Sequence, residues 1–141
     1  RLVADGMSLE SLSLMAPAVK IQTFDERVRP HLQSGAIKRF QQFHLSDRAE
    51  EDDPTCGPYR RSLLYLVSES FEGGTTTPIL GMQKYFDPYA ASLPKKAKVH
   101  VSPSTPSPSR PGVSPVASST HGGFDNDPGT KAEIVRFILG A

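Results

Sequence analysis

Apolar and polar positions along this chain alternate between short extended runs and stripes at helical spacing. Leu12 and Leu14, with the run to Met15, predict a strand that Ala16-Pro17-Ala18 ends. Thr23 offers a helix N-cap with Glu26 at the capping-box spacing, and Phe24, Val28 and Leu32 follow on one stripe. Pro30 falls inside that stripe. Proline has no N–H and crowds the preceding turn, so the helix should kink or split there before Gly35 ends it. Residues 37–45 (IKRFQQFHL) predict a second strand, in which Phe40, Phe43 and Leu45 alternate only in part.

An acidic turn, residues 46–54, comes next, and then a helix over residues 58–72 that Pro58 opens and Gly73-Gly74 stops. Its core stripe is expected to be Tyr59, Leu63, Leu66, Val67 and Phe71. Leu80-Gly81-Met82 reads as an apolar loop, and residues 98–101 as a short third strand. Residues 102–119 hold five prolines and seven serines, which predicts an exposed irregular loop. Val116-Ala117 could add a few extended residues within it. A final helix begins with Asp127 as N-cap and Pro128 in its first turn, and ends at Gly140. Ile134, Val135, Ile138 and Leu139 are its expected buried face.

Strands alternating with helices predict βαβ units, hence an α/β fold with a three-stranded, mostly parallel sheet and flanking helices. Parallel sheets normally bury both faces, so three strands look like half of a larger doubly wound sheet. Residues 1–141 then form a single partial α/β domain. Its open sheet edge would be covered by a missing N-terminal half or by a partner chain.

Composition narrows the function classes. The 141 residues carry 16 Lys plus Arg against 15 Asp plus Glu, so nothing in the balance draws the chain to nucleic acid or an anionic membrane. The clusters Arg60-Arg61 and Lys95-Lys96 with Lys98 are too small for a nucleic-acid footprint. No apolar run approaches membrane-spanning length and no signal peptide is visible, so a cytoplasmic, non-membrane protein is expected. Cys56 is the single cysteine and reads as a free structural thiol. His31, His44 and His100 show no metal-ligand spacing, and neither a P-loop nor a dinucleotide fingerprint occurs. No cofactor is expected.

Catalytic groups of open α/β sheets gather beyond the carboxyl ends of the strands. Two segments could fall there: the acidic turn, with Asp47 nearest the strand end, and residues 120–127 (THGGFDND) before the last helix. A carboxylate and an imidazole in those places fit the logic in which the acid holds the imidazole and the imidazole takes a nucleophile's proton. The two glycines after His121 permit close backbone approach or positive φ. Asp125 and Asp127 read as turn and cap residues.

At this point the tail SSTHGGFDNDPGTKAEIVRFILG resembles the C-terminal end of an α/β-hydrolase, where a catalytic His precedes a final amphipathic helix. FHLSD resembles the strand and loop that supply the family's acid, and LSLMAPAV a later core strand. The order acid then His agrees with that family. The resemblance implies the C-terminal half of a hydrolase that acts on a small-molecule ester, amide or similar acyl bond. It implies His121 as general base and Asp47 as acid, with Glu50, Glu51, Asp52 and Asp53 as alternatives for the acid. No G-x-S-x-G occurs, so the nucleophile would lie upstream of Arg1. The alternative is a non-catalytic α/β binding or structural module completed by a partner chain, with the Pro/Ser loop as a recognition segment.

Overall fold

A computed structural model describes residues 6–59, 61–71, 75–94, 97–104 and 114–140. Three strands, β1 (Leu12–Met15), β2 (Phe40–Leu45) and β3 (Lys98–Ser102), form a parallel sheet in the order β1-β2-β3. The register sets Leu12 beside Phe40, and Phe43 beside both Met15 and His100. The α/β class with flanking helices read from the sequence is the class observed.

Every residue of β2 is buried, so its two faces must both meet other elements. Phe40 packs with Phe24, Leu32, Leu80 and Phe86 on one side. Phe43 and Leu45 pack with Leu64, Val116 and Phe124 on the other. This two-sided burial explains the imperfect alternation of IKRFQQFHL. Three of the six residues are polar, and burying an amide costs free energy unless it is bonded. Gln41 donates to Ser13 Oγ at 2.9 Å, and Gln42 donates to the Leu80 carbonyl at 2.8 Å. The strand starts later than expected: Ile37 makes only an isolated bridge to Leu9.

The crossover between β1 and β2 holds helices α1 (Ile21–Arg27) and α2 (Arg29–Gln33), divided at Val28 just before Pro30. Helix α1 begins a turn earlier than Thr23 suggested, because Lys20 is the residue before its first turn. The acidic segment is a helix rather than a turn. Ser46 Oγ accepts from Ala49 N at 3.2 Å and caps α3 (Asp47–Asp52), whose first-turn acids Asp47 and Glu50 suit the positive end of a helix.

The long helix expected over residues 58–72 is broken. A 3-10 segment, Pro54–Tyr59, turns at Gly57, where φ is 55°. Ser62 then caps α4 (Leu63–Leu66), which widens into a π turn, Val67–Phe71. The buried side is Ser62, Leu64, Tyr65 and Ser68; of the expected stripe Val67 packs against the core, while Leu63 is exposed. The side chains of Tyr59 and Phe71, like Gly73-Gly74, lie outside the described residues. Helix α5 (Gln83–Ala90) has no counterpart in the sequence reading, because Pro88 interrupts its pattern. The loop before it is core: Leu80 and Met82 are buried, and a Cβ on Gly81 would lie 2.7 Å from backbone atoms of Ala16 and Pro17.

Helix α6 (Pro128–Leu139) has the expected caps. Asp127 accepts from Thr130 N at 2.7 Å, and Gly140 closes it with φ of 75°. Its roll differs from the expectation. Thr130, Glu133 and Phe137 are buried with Ile134 against them, while Val135, Ile138 and Leu139 are 55–75% exposed. Arg39 fixes that roll by donating to the carbonyls of Phe137 and Ile138 and lying over the Phe137 ring at 5.3 Å. Gly129 fixes it at the other end, pressed against the Val116 segment. A Cβ there would sit 2.0 Å from the Pro115 carbonyl oxygen. Gly129→Ala should therefore destabilise the fold by about 1–3 kcal/mol, the usual cost of overpacking. A urea midpoint equal to that of the parent would show that this approach is not tight. Val116-Ala117 forms no strand, although Val116 is buried and its carbonyl accepts Ser104 N at 2.7 Å. Half of the Pro/Ser loop, residues 105–113, lies outside the described residues.

Candidate functional site

Strands β2 and β3 end side by side, and Ser46 N donates to the Ser102 carbonyl at 2.7 Å just beyond them. A cleft of about 450 Å³ opens there, lined by Ser46, Arg48, Ala49, Pro54, Pro103 and Thr120 among others. This is the end of the sheet where α/β folds place their ligands.

His121 opens a short 3-10 turn, His121–Gly123, between β3 and α6. The loop is held close by Ser118 Oγ, which donates to the Thr120 carbonyl at 2.9 Å. Gly123 is required by space. A Cβ would come within 2.5 Å of Ser118 Oγ, whereas Gly122 faces open space and neither glycine has positive φ. The glycines therefore act through close approach at one position only. Asp127 is structural, as its cap role implies. Besides capping α6 it accepts Ala117 N at 3.2 Å.

The carboxylate that meets His121 is Asp53. His121 N donates to Asp53 Oδ2 at 2.7 Å, across 68 residues of sequence. Asp53 is 1% exposed. Burial pushes the His121 imidazole below its ordinary value of 6.5, and the Asp53 charge opposes that shift. Burial thus favours the neutral ring, the form a general base needs. Its Nδ1 is buried and makes no hydrogen bond in the structure.

Asp47 sits elsewhere. Its Oδ1 accepts Lys84 N at 3.0 Å, while its own N–H donates to Gln83 Oε1 at 3.0 Å. It ties the first turn of α3 to the first turn of α5. Of the remaining acids, Glu51 lies 3.5 Å from the Tyr65 hydroxyl, and Asp52 pairs with Arg48 at the cleft. Glu50 is wholly buried, with burial raising its carboxyl to about 7 against the lowering effect of a hydrogen bond from Ser62.

Asp47, nearest the end of β2, bonds α5, and Asp53, six positions later at the end of α3, bonds the main chain of residue 121. One signal for Asp53 was available. The residue before proline is driven out of the helical region, and Asp53, before Pro54, leaves α3 with ψ of 113°.

His44 and His100 belong to packing. His44 is fully buried against Phe86, ring centres 5.3 Å apart, and burial lowers it to about 4. His100 stacks on Phe43 at 4.5 Å. Among the described residues no group of three His, Cys, Asp or Glu side chains could hold a metal ion, and no helix is long and apolar enough to cross a membrane. Cys56 is a half-buried free thiol. Comparison with protein-family models, with curated proteins and with solved structures found no match to this chain.

Proposed function

We propose that this chain supplies the acid and base of a hydrolase that cleaves an ester, amide or similar acyl bond, as the C-terminal half of an α/β-hydrolase would. The observation that carries the reading is the bond from the main-chain N–H of His121 to the Asp53 carboxylate, next to Pro54 and Thr120 of the cleft beyond β2 and β3. A neutral imidazole can take the proton of an attacking hydroxyl. The nearby carboxylate charge then favours the imidazolium that forms. Asp53, rather than Asp47, is the acid of this proposal. The nucleophile and oxyanion donors come from chain that pairs beyond β1, whose outer edge meets no described strand. The test is hydrolysis of a panel of short- and medium-chain p-nitrophenyl esters and anilides by the full-length protein. A serine-directed fluorophosphonate serves as a second probe. Turnover together with labelling supports the reading; a folded full-length protein that does neither overturns it.

A second reading rests on the exposed Val135, Ile138 and Leu139 of α6 and on the same open edge. These would suit a non-catalytic module that a partner chain completes. Its mark is a complex that forms through α6 while His121→Ala changes nothing measurable.

A further inference from the structure

The least expected side chain in the molecule is Glu50, a carboxyl with no exposed surface in the middle of a charged helix. Its neighbours account for only part of it. Ser62 Oγ donates to Oε2, and Ser62 N donates to the Glu50 carbonyl at 2.9 Å. Glu50 Oε1 is buried and makes no hydrogen bond. An ionised carboxylate needs donors on both oxygens, and an uncompensated buried charge is expensive. A neutral acid needs fewer. The groups around it make the charged form worse still. Asp47 and Asp53 of its own segment are negative, and Lys84 of α5 opposes them. Tyr65 of α4 contributes a hydroxyl directed to Glu51.

The position of this carboxyl gives it a use. Ser62 caps α4 through its side chain and holds Glu50 through both side chain and main chain. The Glu50–Ser62 contact is thus a clamp between α3 and α4. Asp53 stands three residues after Glu50, at the end of α3, with its carboxylate on His121. We propose that Glu50 is a positioning residue whose clamp on Ser62 sets the Asp53 carboxylate at the main-chain N–H of His121. This assigns a role within the hydrolase site proposed above and rests on that reading, but its test does not depend on turnover.

The sign of the pH effect follows from the raised carboxyl. Between the ordinary value of 4.5 and about 7 the native protein holds a proton that the unfolded chain has lost. Glu50's contribution to stability is therefore most favourable below 4.5, erodes as pH rises, and is gone above about 7.

The experiment uses the full-length protein. The amide proton of His121, which is bonded to Asp53, is followed by NMR from pH 5 to 8.5, with urea unfolding measured alongside. In the parent, the His121 amide shift is expected to move with an inflection near 7, and the urea midpoint to fall up to about pH 7 and then level off. In Glu50→Gln, a neutral isostere, the inflection near 7 and that fall should vanish while the low-pH amide position is kept, and the imidazole's own titration below 6.5 stays in both proteins. Glu50→Ala should lose the low-pH position as well. Ser62→Ala removes a bond that favours the charged form, so its inflection should move to higher pH. That variant decides the matter if the Glu50 variants do not fold. Inflections in Glu50→Gln or Ser62→Ala identical to the parent's would overturn the proposal. An inactive full-length protein with these signatures intact would overturn the hydrolase reading and leave the clamp standing.

Discussion

His121→Ala in the full-length protein is expected to lower kcat for ester or amide cleavage by about 10⁴–10⁶, since acid, base and nucleophile act as one unit. The structure makes this substitution a clean one. The bond that ties residue 121 to Asp53 comes from the main-chain N–H, which alanine keeps. The ring is only half-buried, and its buried Nδ1 makes no hydrogen bond whose loss would strand a partner. Stability should change by no more than about 1 kcal/mol, as for a surface-loop substitution that leaves no cavity in the core. Steady-state kinetics and a urea titration on the same preparation separate the two effects. Turnover at the parent rate, in a folded variant, would remove His121 from any catalytic role.

What the sequence exposes and what it hides divide along physical lines. The three strands and the parallel order were readable because short apolar runs alternate with helical stripes. The caps of α6 were readable because Asp127, Pro128 and Gly140 act through their own backbone. The roll of α6 was not readable. Its sequence holds two apolar stripes, and the choice between them is made by Arg39 and by Pro115 pressing on Gly129, contacts far away in the chain. Helix α3 was hidden because a run of acids resembles a solvated turn until Ser46 is recognised as its cap. The identity of the candidate acid was hidden with it. Asp47 was preferred for its nearness to the end of β2, whereas Asp53, at the end of α3, is the acid that bonds the main chain of residue 121. Glu50 was one of five acids close together in sequence, and no local pattern singled it out. Its difference is burial against Ser62, which no local pattern encodes.

Asp53→Asn carries the second large effect and separates the two carboxylates. An asparagine keeps an oxygen to accept the His121 N–H, so the fold and the loop should survive. It removes the negative charge that favours the imidazolium, and loss of the acid in such a site costs about 10³–10⁴ in kcat. Asp47→Asn, by contrast, loosens the junction of α3 with α5. It should cost about 0.5–1 kcal/mol of stability through the weakened helix start, with kcat near that of the parent. The reverse pattern, a collapse of kcat in Asp47→Asn and parent rates in Asp53→Asn, would return the acid to Asp47. The same Asp53 variant also reports on Glu50. The Asp53 charge is one of the influences that hold the Glu50 carboxyl high, so its removal should draw the amide inflection of residue 121 to lower pH. A fall in kcat with a downward inflection would tie the two buried acids to one site. A fall in kcat with the inflection unmoved would leave Asp53 as the acid and separate Glu50 from it.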